Sequence, residues 1–283
     1  MSFMEKIYAH AQERRARVVF PESDDPRVAE AVARLERERI CVPLALAEVS
    51  EAHVAALVEA RGMKEAMARR LLAKPLYRAA AMVAAGEADA MVAGADSPTR
   101  RVIEAAAMAI GLEDGVDTPS SFFVMLMPDG RELVFADCAV NVAPDAAQLA
   151  DIARASARSA EALLGSARVA MLSFSTGTSG AGASVELVRE AAERAGFPGP
   201  VQADAALNAG IAAKKGAGAG DANVLIFPDL NAGNIAYKLV QELGRGQALG
   251  PFLQGFRKPV CDLSRGASAD DIVAATAVTV AMA

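Results

Sequence analysis

The stretch Asp-Leu-Ser-Arg-Gly-Ala-Ser-Ala-Asp-Asp-Ile-Val at 262–273 concentrates more chemistry than any other part of the chain. Ser264 and Arg265 stand in a turn punctuated by Gly266, and an arginine there offers a fork of donors that suits phosphate. Ser268 and Asp271 have the S-x-x-D spacing of a capping box, and Asp270 adds negative charge to the same helix start. Asp271 therefore has two readings. It caps a helix, or, in a cleft beside a phosphate-binding arginine, it takes a proton from a nucleophile.

A second candidate is Ser175-Thr-Gly-Thr-Ser-Gly-Ala-Gly182, which follows a strand-like run and precedes a helix-like one. Backbone N–H groups and a helix N-terminus make an anion site at such a place. A Walker A loop would continue with Lys and Ser or Thr, whereas Ala183 and Ser184 follow here. Without the lysine that reaches the terminal phosphates, nucleotide hydrolysis and kinase chemistry lose their support. Two readings remain: an anion cradle built from Ser175, Thr176, Gly177, Thr178, Ser179 and Gly180, or a plain turn between a strand and a helix. Pro228-Asp-Leu-Asn-Ala-Gly-Asn234 places Asn231 and Asn234 on another strand-to-helix turn, with Lys238 one helical turn further on. These are ligand-facing residue types in open α/β sheets, and they equally suit Asx-turn and N-cap roles. The glycine run at 216–221 precedes a strand instead of following one, the wrong order for dinucleotide binding.

Other chemistries find little material. His10 and His53 are the two histidines, each in a charged, helix-like neighbourhood, and both read as surface or packing residues. Cys41, Cys138 and Cys261 are odd in number and lack CxxC spacing, which points to reduced thiols in a cytoplasm and to neither a disulfide framework nor a thiolate metal site. The 29 Lys and Arg against 35 Asp and Glu give a net charge of −6, so nucleic acid is not an expected partner. The first twenty residues mix both charge signs without an apolar run, and no uncharged apolar stretch reaches the ~18 residues of a membrane span. Neither export nor membrane insertion is expected.

The candidate residues need a scaffold that carries loops at strand ends. Short β-rich runs alternate with longer Ala-rich helical stretches, the pattern of a mainly parallel sheet covered on both faces. The 283 residues suit one large α/β domain or two medium ones. With 53% hydrophobic residues but 5% aromatic ones and no tryptophan, the core must be built from Ala, Val, Leu, Ile and Met. Strands are expected at 17–20, 89–96, 168–175 and 223–227, and Pro128-Asp129-Gly130 between two β-rich runs signals an antiparallel hairpin. Helices are expected after Asp25 with Pro26 at the first position, over about 50–72, from Pro75 to near Gly86, over 144–164 opened by Pro144, over 184–195, through Tyr237 and Lys238, and over about 268–282. No low-complexity linker divides the chain.

Several segments taken together resemble a known family. They are VVFPESDDPRVAEA at 18–31, the stretch from Arg61 to Ala95, LVFADCAVNVAP at 133–144, RVAMLSFSTGTSGAG at 168–182, FPDLNAGNIAYKLVQELG, and GPFLQGFRKPVCDLSRGASADDIV. In this joint order the chain is similar to the phosphate acetyltransferases (phosphotransacetylases) and the wider phosphate acyltransferase family. The resemblance implies reversible acyl transfer between acetyl phosphate and coenzyme A in a ternary complex, with coenzyme A as substrate and no metal or redox cofactor required. It assigns Asp271 as the base that accepts the thiol proton, Ser264 as the group that steadies the tetrahedral intermediate, and Arg265 as the holder of the departing phosphate.

The resemblance further implies an α/β fold of two α/β/α domains with mainly parallel sheets and an interdomain cleft, like isocitrate and isopropylmalate dehydrogenases. The first domain would span 1–138 and 260–283, the second 139–259, in a homodimer. Residues expected to bind phosphate or coenzyme A are the loop at 175–180, Asn231, Asn234, Lys238, Ser97, Thr99, Arg100 and Arg61. The family's Ser/Thr-rich run and following arginine are shortened here to Ser97-Pro-Thr-Arg-Arg101, so that Arg101 is the alternative to Arg100, and Ala267 replaces a cysteine common in relatives. Phosphate butyryl- or propanoyl transfer is the nearest other reading. An oxidoreductase on the related dehydrogenase fold would need a dinucleotide fingerprint that the chain lacks.

Overall fold

The computed structural model describes residues 2–283, the side chains of Ala60 and Arg61 excepted. From the N-terminus run α1 (Phe3–Arg14), β1 (Arg17–Val19), α2 (Pro26–Arg37), β2 (Val42–Leu44), α3 (Glu51–Arg61), α4 (Glu65–Leu72), α5 (Pro75–Ala84), β3 (Ala90–Ala93) and α6 (Thr99–Ala109). Then follow β4 (Ser120–Leu126), β5 (Glu132–Ala136), α7 (Ala146–Leu164), β6 (Val169–Met171), α8 (Ala183–Ala195), α9 (Ala203–Leu207), α10 (Ala209–Lys215), β7 (Val224–Ile226) and α11 (Leu230–Gly244). The chain closes with β8 (Gln247–Gln254), β9 (Val260–Asp262) and α12 (Ala269–Ala281). It forms two compact units, Met1–Gly115 with Gly250–Ala283, and Val116–Leu249.

In the first unit the strand order is β2–β1–β3–β9–β8, parallel except for β8 against β9. α12 packs with α1 and α2, and α5 with α3 and α6, so that two helical layers cover the sheet. Local chemistry fixes the helix starts. Asp25 caps α2 by accepting from Arg27 N, with Pro26 at the first position, as its sequence predicts. His53 is fully buried, its Nδ1 accepting from Ser50 N at 3.2 Å and its Nε2 3.0 Å from Glu87 Oε2, a packing role.

In the second unit the order is β4–β5–β7–β6, with β4 and β5 forming the expected antiparallel hairpin and β5, β7 and β6 running parallel. Phe123, Met125, Leu133 and Phe135 join Leu172, Leu225 and Phe227 in one core, while Phe122, Val124 and Val134 are buried between them in sequence. Burial of successive residues is the mark of a sheet covered on both faces. The hairpin lies in this unit because β5 pairs with β7 from Val134 to Ala136, and the chain passes from one unit to the other at 115/116 and 249/250. α7 begins at Ala146 instead of Pro144, since Asp145 forms the capping box with Gln148 at 2.9 Å in both directions.

Candidate functional site

Three parallel strands of the first unit, β1, β3 and β9, end side by side, and the loops that leave them meet. Gly94 follows β3 at φ +107°, and a Cβ there would stand 2.6 Å from both Asp262 Oδ1 and Leu263 N. Only glycine allows the two loops to approach this closely. Leu263 N donates to Ala93 O at 2.6 Å and fixes the contact. From the loop after β1, Glu22 accepts from Gly94 N at 2.8 Å, Ala95 N at 2.7 Å and Ser97 N at 2.8 Å. Arg27, on the first turn of α2, donates to Arg265 O at 2.7 Å, Ala267 O at 3.0 Å, Ala95 O at 2.9 Å and the Asp25 carboxylate. One guanidinium therefore ties all three loops together. Sequence reasoning gives neither Glu22 nor Arg27 a role, since the Pro-Glu-Ser-Asp-Asp-Pro-Arg turn that holds both does not show their distant partners.

Ser264, Arg265 and Asp271 occupy the loop after β9 and the first turn of α12, all exposed. Ser264 Oγ accepts from Gly266 N at 3.3 Å and leaves its own proton to donate. The Arg265 guanidinium has no hydrogen bond or ion pair among the described residues. Asp271 completes the capping box: its Oδ2 accepts from Ser268 N at 2.9 Å and from Ser268 Oγ at 2.7 Å, while Asp271 N donates to Ser268 Oγ at 3.2 Å. Its Oδ1 is unengaged among the described residues. Asp270, beside it, pairs with Arg34.

A pocket of about 610 Å³ lies beside these loops, lined among others by Glu22, Lys74, Tyr77, Asp96, Ser97 and Arg101. Ser97 and Arg101 reach it, Arg101 also pairing with Glu104 at 2.8 Å. Arg100, one residue earlier on α6, is exposed and is not part of the lining, and neither are Arg265 and Asp271. Thr99 opens α6, and burial pushes the nearby Asp262 carboxyl up to about 6 while Thr99 pulls it down. Arg61 ends α3, and its side chain lies outside the described residues.

The second unit treats its candidates differently. Ser175 is buried, its Oγ accepting from Gly180 N at 2.8 Å and lying 3.3 Å from Ser179 Oγ. Ser179 Oγ accepts from Thr176 N at 3.0 Å, and Thr176 Oγ1 from Gln202 N at 3.0 Å. Three of the four hydroxyls thus hold the loop itself, while Thr178 and Gly177 face solvent. Asn234 Nδ2 donates to Cys138 O at 3.1 Å, and a Cβ on Gly233 would stand 2.3 Å from Asp137 O. The Asp-Leu-Asn-Ala-Gly-Asn turn is therefore packed onto the Ala-Asp-Cys loop. Asn231 and Lys238 are exposed, the latter's Nζ 5.1 Å from the centre of the Tyr237 ring. Among the described residues no helix is long and apolar enough to cross a membrane, and no group of three or more His, Cys, Asp or Glu could hold a metal ion.

A family model described as phosphate acetyl/butaryl transferase matches residues 2–57 and 48–280. The chain is 41% identical over 321 residues to the phosphate acetyltransferase of Nitrosomonas europaea, covering 100% of this chain and 46% of that protein. It is 37% identical over 327 residues to the phosphate acetyltransferase of Acetivibrio thermocellus, covering 100% of this chain and 98% of that one. The crystal structure of a phosphotransacetylase from Streptococcus pyogenes matches with a TM-score of 0.91 at 34% identity over 98% of both chains. The chain spans about half the length of the Nitrosomonas protein and of several other bacterial relatives.

Proposed function

We propose that this chain, which belongs to the phosphate acetyl/butaryl transferase family, transfers an acetyl group reversibly between acetyl phosphate and coenzyme A, with no further cofactor required. The observation that carries this reading is an exposed loop and helix start on which, among the described residues, the Arg265 guanidinium has no hydrogen bond or ion pair and the Asp271 carboxylate keeps one oxygen unengaged. A free thiol, with a pKa of about 8.5 in cysteine, is mostly protonated near neutrality, and the thiol of coenzyme A gains likewise from a positioned base. Asp271 accepts that proton through Oδ1 while Oδ2 stays on Ser268. The thiolate attacks the acyl carbonyl, the Ser264 hydroxyl donates to the oxyanion, and Arg265 holds the phosphate as it leaves. Within the first unit, Ser97 and Arg101 supply further polar contacts to an anionic substrate from the pocket wall.

The protein acts as a homodimer in the cytoplasm. Ile235, Leu239 and Leu243 recur every four residues along α11 with 56%, 51% and 79% exposure, an apolar stripe that a second copy would cover. Val142 is also 67% exposed, and its carbonyl accepts from Leu230 N, at the start of α11, at 3.2 Å. The three cysteines are unpaired and buried, which suits a reducing compartment.

Purified protein given acetyl, propanoyl or butyryl phosphate with coenzyme A tests the reading. Thioester formation fastest with acetyl phosphate is the expected result. Preference for a longer chain would move the assignment within the family, and no turnover on any of the three would overturn it.

A further inference from the structure

Successive residues of a β-strand turn their N–H and C=O to opposite sides, so a strand at the edge of a sheet leaves every second pair in need of a partner outside it. β6 is such a strand in the second unit. Towards β7, Arg168 O accepts from Val224 N at 3.1 Å and Leu172 N donates to Ile226 O at 2.7 Å. Val169 and Met171 therefore turn their backbone groups the other way. At Met171 that edge is covered, its N donating to Pro198 O at 2.9 Å and its O accepting from Val201 N at 3.0 Å. At Val169 the cover is missing. The residue is 6% exposed, yet its N–H and C=O have no partner on this edge among the described residues. A buried donor and acceptor left side by side are costly unless something else pairs with them.

A cavity of about 320 Å³ lies where that partner would be. Its walls include Val169, Phe197, Pro198, Val201, Ala206 and Ala217, and the glycine-rich stretch at 218–222 closes it. The stretch is fixed at both ends, Ala217 N donating to Ala212 O at 3.0 Å and Ala222 N to Ala206 O at 3.0 Å. Gly220 between them has φ +70°, and a Cβ there would stand 2.6 Å from Ala209 N. The two charged residues of the lining, Arg168 and Asp221, answer each other at 3.0 Å, and its remaining side chains are apolar. The cavity thus asks for no charge. Its volume falls at the lower end of ligand pockets, which run from about 300 to 1,000 Å³. Small walls, one aromatic side chain and a backbone donor beside a backbone acceptor suit a flat, uncharged heterocycle that carries an acceptor next to a donor.

We propose that this cavity binds an adenine base: Val169 N–H donates to a ring nitrogen beside the exocyclic amino group, and Val169 O accepts from that amino group. The glycine run at 216–221, wrongly placed to cradle a dinucleotide's phosphates, then serves as the thin wall of a base slot. The site lies within the second unit and does not rest on the acyl-transfer reading. Adenine reaches a protein in free nucleosides and nucleotides and as one end of coenzyme A, so the probes separate these sources.

The full chain is titrated by calorimetry with adenosine, AMP, coenzyme A and purine riboside, which lacks the amino group, and amide NMR spectra are recorded with adenosine. Adenosine should bind and shift the amide of Val169 together with those at 218–222. Purine riboside should bind about 5- to 150-fold more weakly, because Val169 O is left unpaired. AMP binding at least as tightly as coenzyme A would support the site with a free nucleotide as occupant, and tighter coenzyme A would support it with that molecule's adenine end. Val169→Pro removes the donor without breaking the β6–β7 ladder, as an edge position allows, and Ala217→Leu fills the slot. Each should abolish adenosine binding, and should Val169→Pro fail to fold, Ala217→Leu and the purine riboside comparison decide. No adenosine binding, an unmoved Val169 amide, equal affinity for purine riboside, or undiminished binding by folded Ala217→Leu would overturn the proposal.

Discussion

Replacing Ser268 by alanine and Asp271 by asparagine separates the two roles that meet at the start of α12. Ser268→Ala removes the acceptor for Asp271 N at 3.2 Å and the donor to Asp271 Oδ2 at 2.7 Å, and leaves the Ser268 N–Asp271 Oδ2 bond at 2.9 Å. Loss of such a cap costs about 0.5–2 kcal/mol. At about 2–4 °C per kcal/mol for a domain of this size, Tm should fall by ~1–8 °C. Turnover should change little, since Ile272, Val273, Ala277 and Val278 anchor the helix beyond its first turn. Asp271→Asn keeps an acceptor for Ser268 N but removes the charge at the helix start, worth about 0.3–1 kcal/mol. It also removes the base, for which kcat should drop by about 10²–10⁴-fold. Thermal unfolding and the coenzyme A assay, run on both variants, read the two effects separately. An Asp271→Asn protein with lowered Tm and undiminished turnover would refute the catalytic role and leave the cap as the whole explanation of the residue.

Arg265→Ala should lower turnover about 10²–10³-fold, in the range of a lost donor to developing charge, with an unfolding curve close to wild type because its guanidinium makes no hydrogen bond or ion pair among the described residues; equal loss of stability and turnover would make it structural. Gly94→Ala should destabilise by about 2–5 kcal/mol, combining left-handed backbone strain with overpacking against Leu263, as measured by denaturant unfolding; a neutral result would mean that the two loops can part. Leu239→Glu should give a monomer by light scattering, and an unchanged mass would take α11 out of the dimer interface.

What the sequence made legible is the chemistry that acts within about four residues. The Asp25–Pro26 helix start, the Ser268–Asp271 box and the hairpin around Pro128-Asp129-Gly130 follow from side chains meeting their own backbone, and each is present. β2 and β9, three residues each, were not legible, because pairing to β1 and β3 defines them more than their composition does. The loop at 175–180 was legible as a loop but not in its purpose. Loop amides need acceptors, and the hydroxyls of the buried Ser175 and of Thr176 and Ser179 supply them. Least legible were Glu22 and Arg27, whose partners on the loops after β3 and β9 lie 68 to 240 residues away.

Those two residues bear on how an acidic protein would bind the anionic substrates proposed for it. Glu22, Asp24, Asp25 and Asp96 all line the pocket, which would repel a phosphate if their charge were unanswered. Two of them are answered from within the fold. Glu22 is held by three backbone N–H groups, and Asp25 faces Arg27 at 2.6 Å, which holds its carboxyl below the usual range. They act as struts that hold the loops together. Arg27 is committed to the same framework by its bonds to three carbonyls. Arg265 is the contrasting case: it stands on a turn whose backbone Arg27 fixes, yet its own guanidinium has no hydrogen bond or ion pair among the described residues. The net charge of −6 is then a poor guide to ligands, since binding depends on which charges the fold has already paired, and at this turn it leaves a cation unpaired.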